Sequence, residues 1–215
     1  MLDNCPNLFL EINGSNITFV AGKNTQNFEI LSKTEFSSNN LKDGKLTNYE
    51  ELIEILKDKI YLIENKVNFT FKEIILIINH HDVLNLNLSG YKKLNGSQLT
   101  KENVTYILNS LKSSINNSEK DKSIIHIFNS KFFIDKSKTD NLPIGLFGNI
   151  YSHELSCYLI DTNVRKNFEN ILNECNLKIK KIFLKSFIGS VSIVKNDKVD
   201  SFFKIEINKE FSQLI

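Results

Sequence analysis

Residues Thr47 to Asn79 read TNYEELIEILKDKIYLIENKVNFTFKEIILIIN, and this stretch decides the fold class. Its first part sets Tyr49, Leu52, Ile53, Leu56, Ile60 and Ile63 at helical spacing, so one face of the helix is apolar and packs on a sheet. Thr47 with Glu50 three residues on has the capping-box pattern, in which each side chain satisfies a free backbone N–H at the helix start. The last part, Ile74-Ile75-Leu76-Ile77-Ile78, is apolar without alternation, which predicts a central strand buried on both faces. An amphipathic helix leading into such a strand predicts an α/β arrangement.

Upstream, Leu8 to Asn13 and Asn16 to Gly22 read as a hairpin bent at Asn13-Gly14, a strong turn dipeptide. Asn27 to Glu35, with Phe28, Ile30 and Ser32 alternating, reads as a third strand, and Asp43-Gly44 as a break before the helix. Downstream the rhythm changes. Val83 to Leu88 predicts a strand, and Thr100 opens a helix striped by Val104, Ile107, Leu108, Leu111 and Ile115. A polar linker, Asn116 to Lys122, ends that helix. Ile124 to Phe128 and Lys131 to Asp135 read as two strands joined tightly at Asn129-Ser130, and His153 to Ile160 as another after a loop with Pro143, Gly145 and Gly148. This strand–helix–strand–strand run is an α+β unit of about 80 residues, an ordinary size for a small domain.

The last third returns to the first pattern. Asp161 or Thr162 caps a helix bearing Val164, Phe168, Ile171, Leu172 and Cys175; Lys178 to Leu184 is a strand, Ser186 to Val194 a short helix, and Ser201 to Ile207 the start of another strand. Leu10-Glu11-Ile12-Asn13 is echoed by Ile205-Glu206-Ile207-Asn208, as in a fold of two related halves.

Composition narrows the function classes. The net charge of +2 gives no global field to attract nucleic acid or membrane. Arg165 is the single arginine, which argues against nucleic-acid or phosphate reading by guanidinium forks. Heavy use of Lys, Asn, Ile and Phe is the bias of AT-rich coding, so Asn- and Lys-rich stretches carry no functional weight. Cys5, Cys157 and Cys175 form no CxxC pair and read as reduced, mostly buried thiols rather than a disulfide framework or zinc knuckle. Met1 to Asn7 holds no signal-peptide core, and the longest apolar run, Ile74 to Ile78, is far below the ~20 residues that span a bilayer, so a soluble chain is expected.

Among chemical clusters, His80-His81-Asp82 stands out. Adjacent strand residues point to opposite faces, so the two histidines do not share a metal, and the cluster reads as a polar exit from a buried strand. His126 and His153 are further ligands only by default. Cys157 lies inside an apolar strand and reads as inert, and the run Lys178, Lys180, Lys181, Lys185 as a mostly solvated face.

The order of elements and several strings resemble FtsA, the actin-like family that tethers the bacterial division ring to the membrane. Ser123 to Val194 holds IIHIFNSKFFID, then NLPIGLFG (Asn141 to Gly148), then CYLID, then NECNLKIKKIFLKSFIGSVSIV. These resemble the family's asparagine-proline-glycine loop and its helix exit into a strand, and DGKLTNYEELIEIL resembles the glycine-plus-helix entry after the third strand. The resemblance implies an actin-like (ribonuclease H-like) subdomain 1A at 1–79 and 161–198. It also implies an inserted α+β strand–helix–strand–strand subdomain 1C at 80–160, and the start of subdomain 2A at 199–215. On that reading the chain is a piece of a longer protein, whose second half would carry the FtsZ contact and the membrane hook.

The resemblance also implies two phosphate loops that bind ATP with Mg²⁺, each a glycine-rich turn beside an acidic residue. The family's aspartate-isoleucine-glycine-threonine-serine-lysine is matched by Glu11-Ile12-Asn13-Gly14-Ser15-Asn16, with only Ile12 and Ser15 kept. The second loop, aspartate-isoleucine-glycine-glycine-glycine-threonine, is matched by Glu206-Ile207-Asn208-Lys209-Glu210-Phe211, where side chains fill positions that glycine left open. The expected cofactor-site residues are therefore Glu11, Asn13, Gly14, Ser15, Asn16, Glu206 and Asn208, in degenerate form, with no catalytic or metal residues and no cofactor expected for this chain. The resemblance thus implies a cytoplasmic division scaffold at the inner face of the membrane. Its expected contacts are FtsZ, other copies of itself, and inner-membrane division proteins through subdomain 1C, but no nucleic acid. The alternatives are an active actin-like ATPase forming ATP-dependent filaments, and a pilus-assembly platform protein of the same superfamily.

Overall fold

The computed structural model describes residues 5–25, 28–42, 45–79, 82–197, 205–207 and 212–214. The chain opens with β1 (Asn7–Asn13), β2 (Asn16–Asn24), β3 (Phe28–Ser37), β4 (Leu41–Lys42), β5 (Lys45–Leu46) and α1 (Tyr49–Val67). β6 (Glu73–Ile78), β7 (Leu84–Lys93), α2 (Lys101–Ser118), β8 (Lys122–Ile134), β9 (Ser137–Thr139) and β10 (Ile150–Asp161) come next. The last elements are α3 (Thr162–Glu174), β11 (Lys178–Leu184), α4 (Lys185–Asp197), β12 (Ile205–Ile207) and β13 (Ser212–Leu214). They divide into two compact units, Met1–His81 with Lys166–Ile215, and the inserted Asp82–Arg165. No helix among the described residues is long and apolar enough to cross a membrane.

The first unit is built on a five-stranded sheet in the order β11-β6-β1-β2-β3. β1, β2 and β3 pair antiparallel, whereas β1, β6 and β11 run parallel. Parallel neighbours need a crossover, and α1 and α3 lie in the connections that supply it. Leu8, Leu10 and Ile12 of β1, Ile17, Phe19 and Ala21 of β2, and Ile74, Leu76 and Ile78 of β6 are buried on one face. Leu52, Ile53, Leu56, Ile60 and Ile63 of α1, with Phe168, Ile171 and Leu172 of α3, are buried against it. The intervening residues Phe9, Glu11, Ile75 and Ile77 are only half-buried on the opposite face, so β6 is less thoroughly enclosed than its unbroken apolar run predicts.

The start of α1 corrects the expected cap. Asn48, not Thr47, is the N-cap: its side chain accepts from the Glu51 N–H and donates to the Glu51 carboxylate. The Thr47 hydroxyl instead donates to the Asn39 carbonyl, which removes it from the cap. At the far end Asn68 takes a left-handed conformation and its N–H returns to the Glu64 carbonyl, a closing turn that asparagine tolerates. Asp161 is the residue that caps α3, accepting from the Asn163 N–H at 2.8 Å.

The second unit is a four-stranded sheet in the order β7-β10-β8-β9 with α2 on one face. Tyr151, Leu155, Cys157 and Leu159 of β10 alternate into a core with Val104, Ile107, Leu111 and Ile115 of α2. Gly90 lets α2 come close: a Cβ there would meet Ile107 Cγ2 at 2.7 Å. α2 has the full capping box, Thr100 with Asn103. The two strands expected to meet at Asn129-Ser130 are instead one strand, β8. Its register against β10 shifts between Glu154 and Leu155 and again between Tyr158 and Leu159, so Ser130 and Ile125 are bulges. A bulge bends a strand without ending it, and its local polarity mimics a turn in the sequence.

Candidate functional site

In open sheets with parallel strands, ligands bind beyond the carboxyl ends of those strands. In the first unit these ends belong to β1, β6 and β11. Register places Ile12, Ile78 and Leu184 in one row, so the next residues along the chain, Asn13, Asn79 and Lys185, emerge together. The Asn79 N–H donates to the Ile12 carbonyl at 3.0 Å, and Asn79 Nδ2 donates to Asn13 Oδ1 at 2.9 Å. Lys185 Nζ lies 2.7 Å from Glu11 Oε1, with both side chains about two-thirds buried.

The β1–β2 turn closes in two residues, Gly14 and Ser15, between the paired Asn13 and Asn16. Gly14 has φ +61°, as the first central residue of a type II′ hairpin turn requires, and a Cβ there would meet nothing within 4 Å. The turn is tied to the strand behind it: the Ser15 carbonyl accepts from the Ser38 N–H at 2.9 Å, and Ser37 Oγ donates to Asn16 Oδ1 at 2.7 Å. Beside it lies an open hollow of about 450 Å³ lined by Glu11, Asn13, Asn16, Thr18 and Glu35.

The structure thus brings Glu11, Asn13, Gly14, Ser15 and Asn16 together at one strand end. Glu206 lies on β12, its backbone opposite Gln213 of β13. Asn208, like Lys209, Glu210 and Phe211, falls outside the described residues. The residues that sequence reading misses are Asn79 and Lys185. By sequence Lys185 belongs to a lysine run that reads as solvated, yet it is the first residue of α4 and the ion-pair partner of Glu11, whereas Lys178, Lys180 and Lys181 are exposed. The available signal is its place one residue past an apolar strand parallel to β6, which in turn runs parallel to β1.

The Glu11 carboxylate is paired with the Lys185 ammonium, and Asn13 Oδ1 accepts from Asn79 Nδ2. Both carboxylates that line the hollow are paired with lysines, Glu11 with Lys185 and Glu35 with Lys33.

The histidine and cysteine candidates form no second site. His80 and His81 lie outside the described residues, and Asp82 is exposed. Among the described residues no group of three or more His, Cys, Asp or Glu is placed to hold a metal. His153 and His126 lie on opposite faces of the second unit's sheet, since His153 is buried in the core and His126 sits opposite Tyr158. Burial holds both imidazoles below their ordinary pKa of 6.5. His153 Nε2 bonds Asn129 Oδ1 at 3.1 Å, while His153 Nδ1 and the neighbouring Tyr151 hydroxyl are buried without a partner among the described residues. Cys157 is fully buried and its thiol is pushed up by desolvation, the opposite of an activated nucleophile.

No protein-family model matches the sequence, and no curated protein matches it significantly. Solved structures do match in shape. A chain of the "PilM-PilN type IV pilus biogenesis complex" superposes with a TM-score of 0.66 at 10% identity, over 99% of this chain and 58% of that one. A Bacteroides thetaiotaomicron protein described as having an actin-like ATPase fold and unknown function matches at 14% identity over 100% of this chain and 67% of that one, with a TM-score of 0.41. The first likeness is one of fold, and it agrees with the mixed α/β architecture expected from the sequence. Nothing in it singles out FtsA. The chain spans 58% of the length of that pilus-complex chain.

Proposed function

We propose that this chain is a protein-interaction scaffold on an actin-like frame, without a nucleotide switch, whose inserted unit is the docking module. The observation that carries the reading is the self-satisfied strand end: Lys185 stands against Glu11 where an actin-type protein would hold its metal-bound phosphates, and Asn79 closes on Asn13. Opening that site to Mg·ATP would mean breaking an ion pair and a hydrogen bond before any phosphate contact formed. The inserted unit, by contrast, turns exposed aromatic and apolar side chains outward, among them Tyr91, Leu146 and Phe147, and aromatic residues are enriched at interface cores.

Two machines fit such a scaffold. The strings between Ser123 and Val194 favour an FtsA-type division role at the inner face of the membrane, with FtsZ and inner-membrane division proteins as partners. The likeness to a chain of the PilM–PilN complex favours a pilus-assembly platform with equal force. Calorimetric titration of Mg·ATP into the full-length protein tests the scaffold reading. Silence at millimolar nucleotide is expected, and micromolar binding overturns it in favour of an ATP-dependent filament. Co-sedimentation with FtsZ polymers then separates the machines: pelleting supports division, and its absence favours the pilus platform.

A further inference from the structure

We propose that the inserted unit self-associates by pairing the outer edge of β7 with the β7 of a second copy across a two-fold axis, forming one continuous sheet. The inference rests on the reading of this unit as a docking module and names its partner. A sheet edge presents a row of unpaired N–H and C=O groups, and proteins blunt such edges with bulges, covering strands, charges or proline. The two edges of this sheet are treated differently. On one side β8 carries bulges at Ile125 and Ser130, and β9 covers Phe132 to Ile134. On the other side β7 pairs with β10 in unbroken register from Leu84↔Leu159 to Lys93↔Ile150. Its sequence, LNLNLSGYKK, has no proline and no charge before Lys92. Among the described residues no strand pairs with its outer edge. It is a ready template for strand addition.

The sequence of β7 selects a second copy as the occupant because it is complementary to itself. A two-fold axis normal to the sheet makes the strands antiparallel and keeps both α2 helices on one face, so facing residues share a face. Centring on Asn87 sets Asn87 against Asn87 of the second copy, Asn85 against Ser89, Leu86 against Leu88, and Asp82 against Lys92. Small polar groups then meet on the open face, leucines meet on the α2 face, and opposite charges meet at each end. Lys92 is already held over the Tyr106 ring at 4.2 Å. A one-residue slip sets leucine against asparagine and is excluded by the faces. Centring on Leu88 sets Leu84 against Lys92 and forfeits the charge match.

Cysteine cross-linking reads the register directly. Facing residues of an antiparallel pair are about 4.5–5.5 Å apart at Cα, within disulfide reach. In a Cys5→Ser background, with Cys157 and Cys175 buried, Asn87→Cys is expected to give oxidised dimers. Asn85→Cys and Ser89→Cys are each expected to stay free of cross-link alone and to cross-link when mixed. In sedimentation equilibrium, Asp82→Lys or Lys92→Glu weakens the dimer about tenfold, and the double variant restores it. A chain that is monomeric at about 100 µM, a concentration that populates even modest dimers, overturns the proposal. So does self-cross-linking of Asn85→Cys as strong as that of Asn87→Cys. A monomer leaves the scaffold reading standing, whereas micromolar ATP binding overturns that reading and leaves the edge pairing untouched.

Discussion

Lys185 Nζ and Glu11 Oε1 stand 2.7 Å apart and tie the first residue of α4 to the carboxyl end of β1. The two charges, both supplied by the protein itself, form an ion pair at the end of the sheet where the actin-like expectation places bound cation and phosphate. About a third of each side chain remains exposed, so water screens the pair and its value lies in occupancy more than in stability. Lys185→Ala and Glu11→Gln are each expected to cost about 1 kcal/mol or less in urea denaturation, with most of that shared in the double variant. Independent, additive losses would show that the two groups do not interact.

Gly90 is expected to tolerate no side chain. A Cβ would press on Ile107 Cγ2, a branch held stiffly next to its own Cβ, with two Leu111 atoms at 3.3 Å behind it. Gly90→Ala should therefore destabilise the inserted unit by about 1–3 kcal/mol, the usual cost of overpacking. Thermal denaturation measures it. An unchanged midpoint would mean that α2 shifts freely on the sheet.

The buried His153 makes a directional pH prediction. Its folded pKa lies below 6.5 because burial disfavours the imidazolium. Below 6.5 the unfolded chain takes up a proton that the folded chain refuses, so stability is full above that pH and falls as pH drops through the window beneath it. His153→Phe should flatten the urea midpoint between pH 7 and pH 5. An equally steep slope in that variant would assign the effect elsewhere, His126 being the first suspect, since burial lowers its pKa too.

Asp135 pins the loop that leads into β10. Its carboxylate accepts the N–H groups of Asn149 at 2.9 Å and Ile150 at 2.8 Å, from a backbone at φ +47°. Asp135→Ala should lower the melting temperature more than Asp135→Asn, because asparagine keeps an acceptor and tolerates the left-handed backbone. Equal losses would mean that an asparagine oxygen does not replace the carboxylate at these two bonds.

The three thiols should differ sharply in reactivity. Cys5 is exposed, while Cys157 and Cys175 are buried and Cys175 is pushed up to about 11 by desolvation. A thiol reagent should modify Cys5 at once and the other two only on unfolding. Rapid reaction at all three would show that the cores open readily.

The sequence by itself determined the helices and most of the long strands. Helical spacing in Tyr49–Val67 and Lys101–Ser118, the apolar run of β6 and the hairpin, whose turn falls on Gly14-Ser15 one residue after the expected Asn13-Gly14, are local signals, because each depends on periodicity or turn chemistry within a few residues. They place Glu11, Asn13, Gly14, Ser15 and Asn16 on one hairpin. Local signals fail where two local readings compete. Thr47 and Asn48 both precede α1, and only the Asn39 carbonyl decides which of them caps it. Asn129-Ser130 resembles a turn because a bulge and a turn use the same residues.

The partners of the site, Asn79 and Lys185, were decided by tertiary structure alone. Each lies just past a strand whose neighbour in the sheet is distant in sequence, and parallel register, which no local pattern encodes, carries Asn79 to Asn13 and Lys185 to Glu11. Chain pattern fixes which face of a strand is apolar. Only the assembled sheet fixes which charges meet at its end.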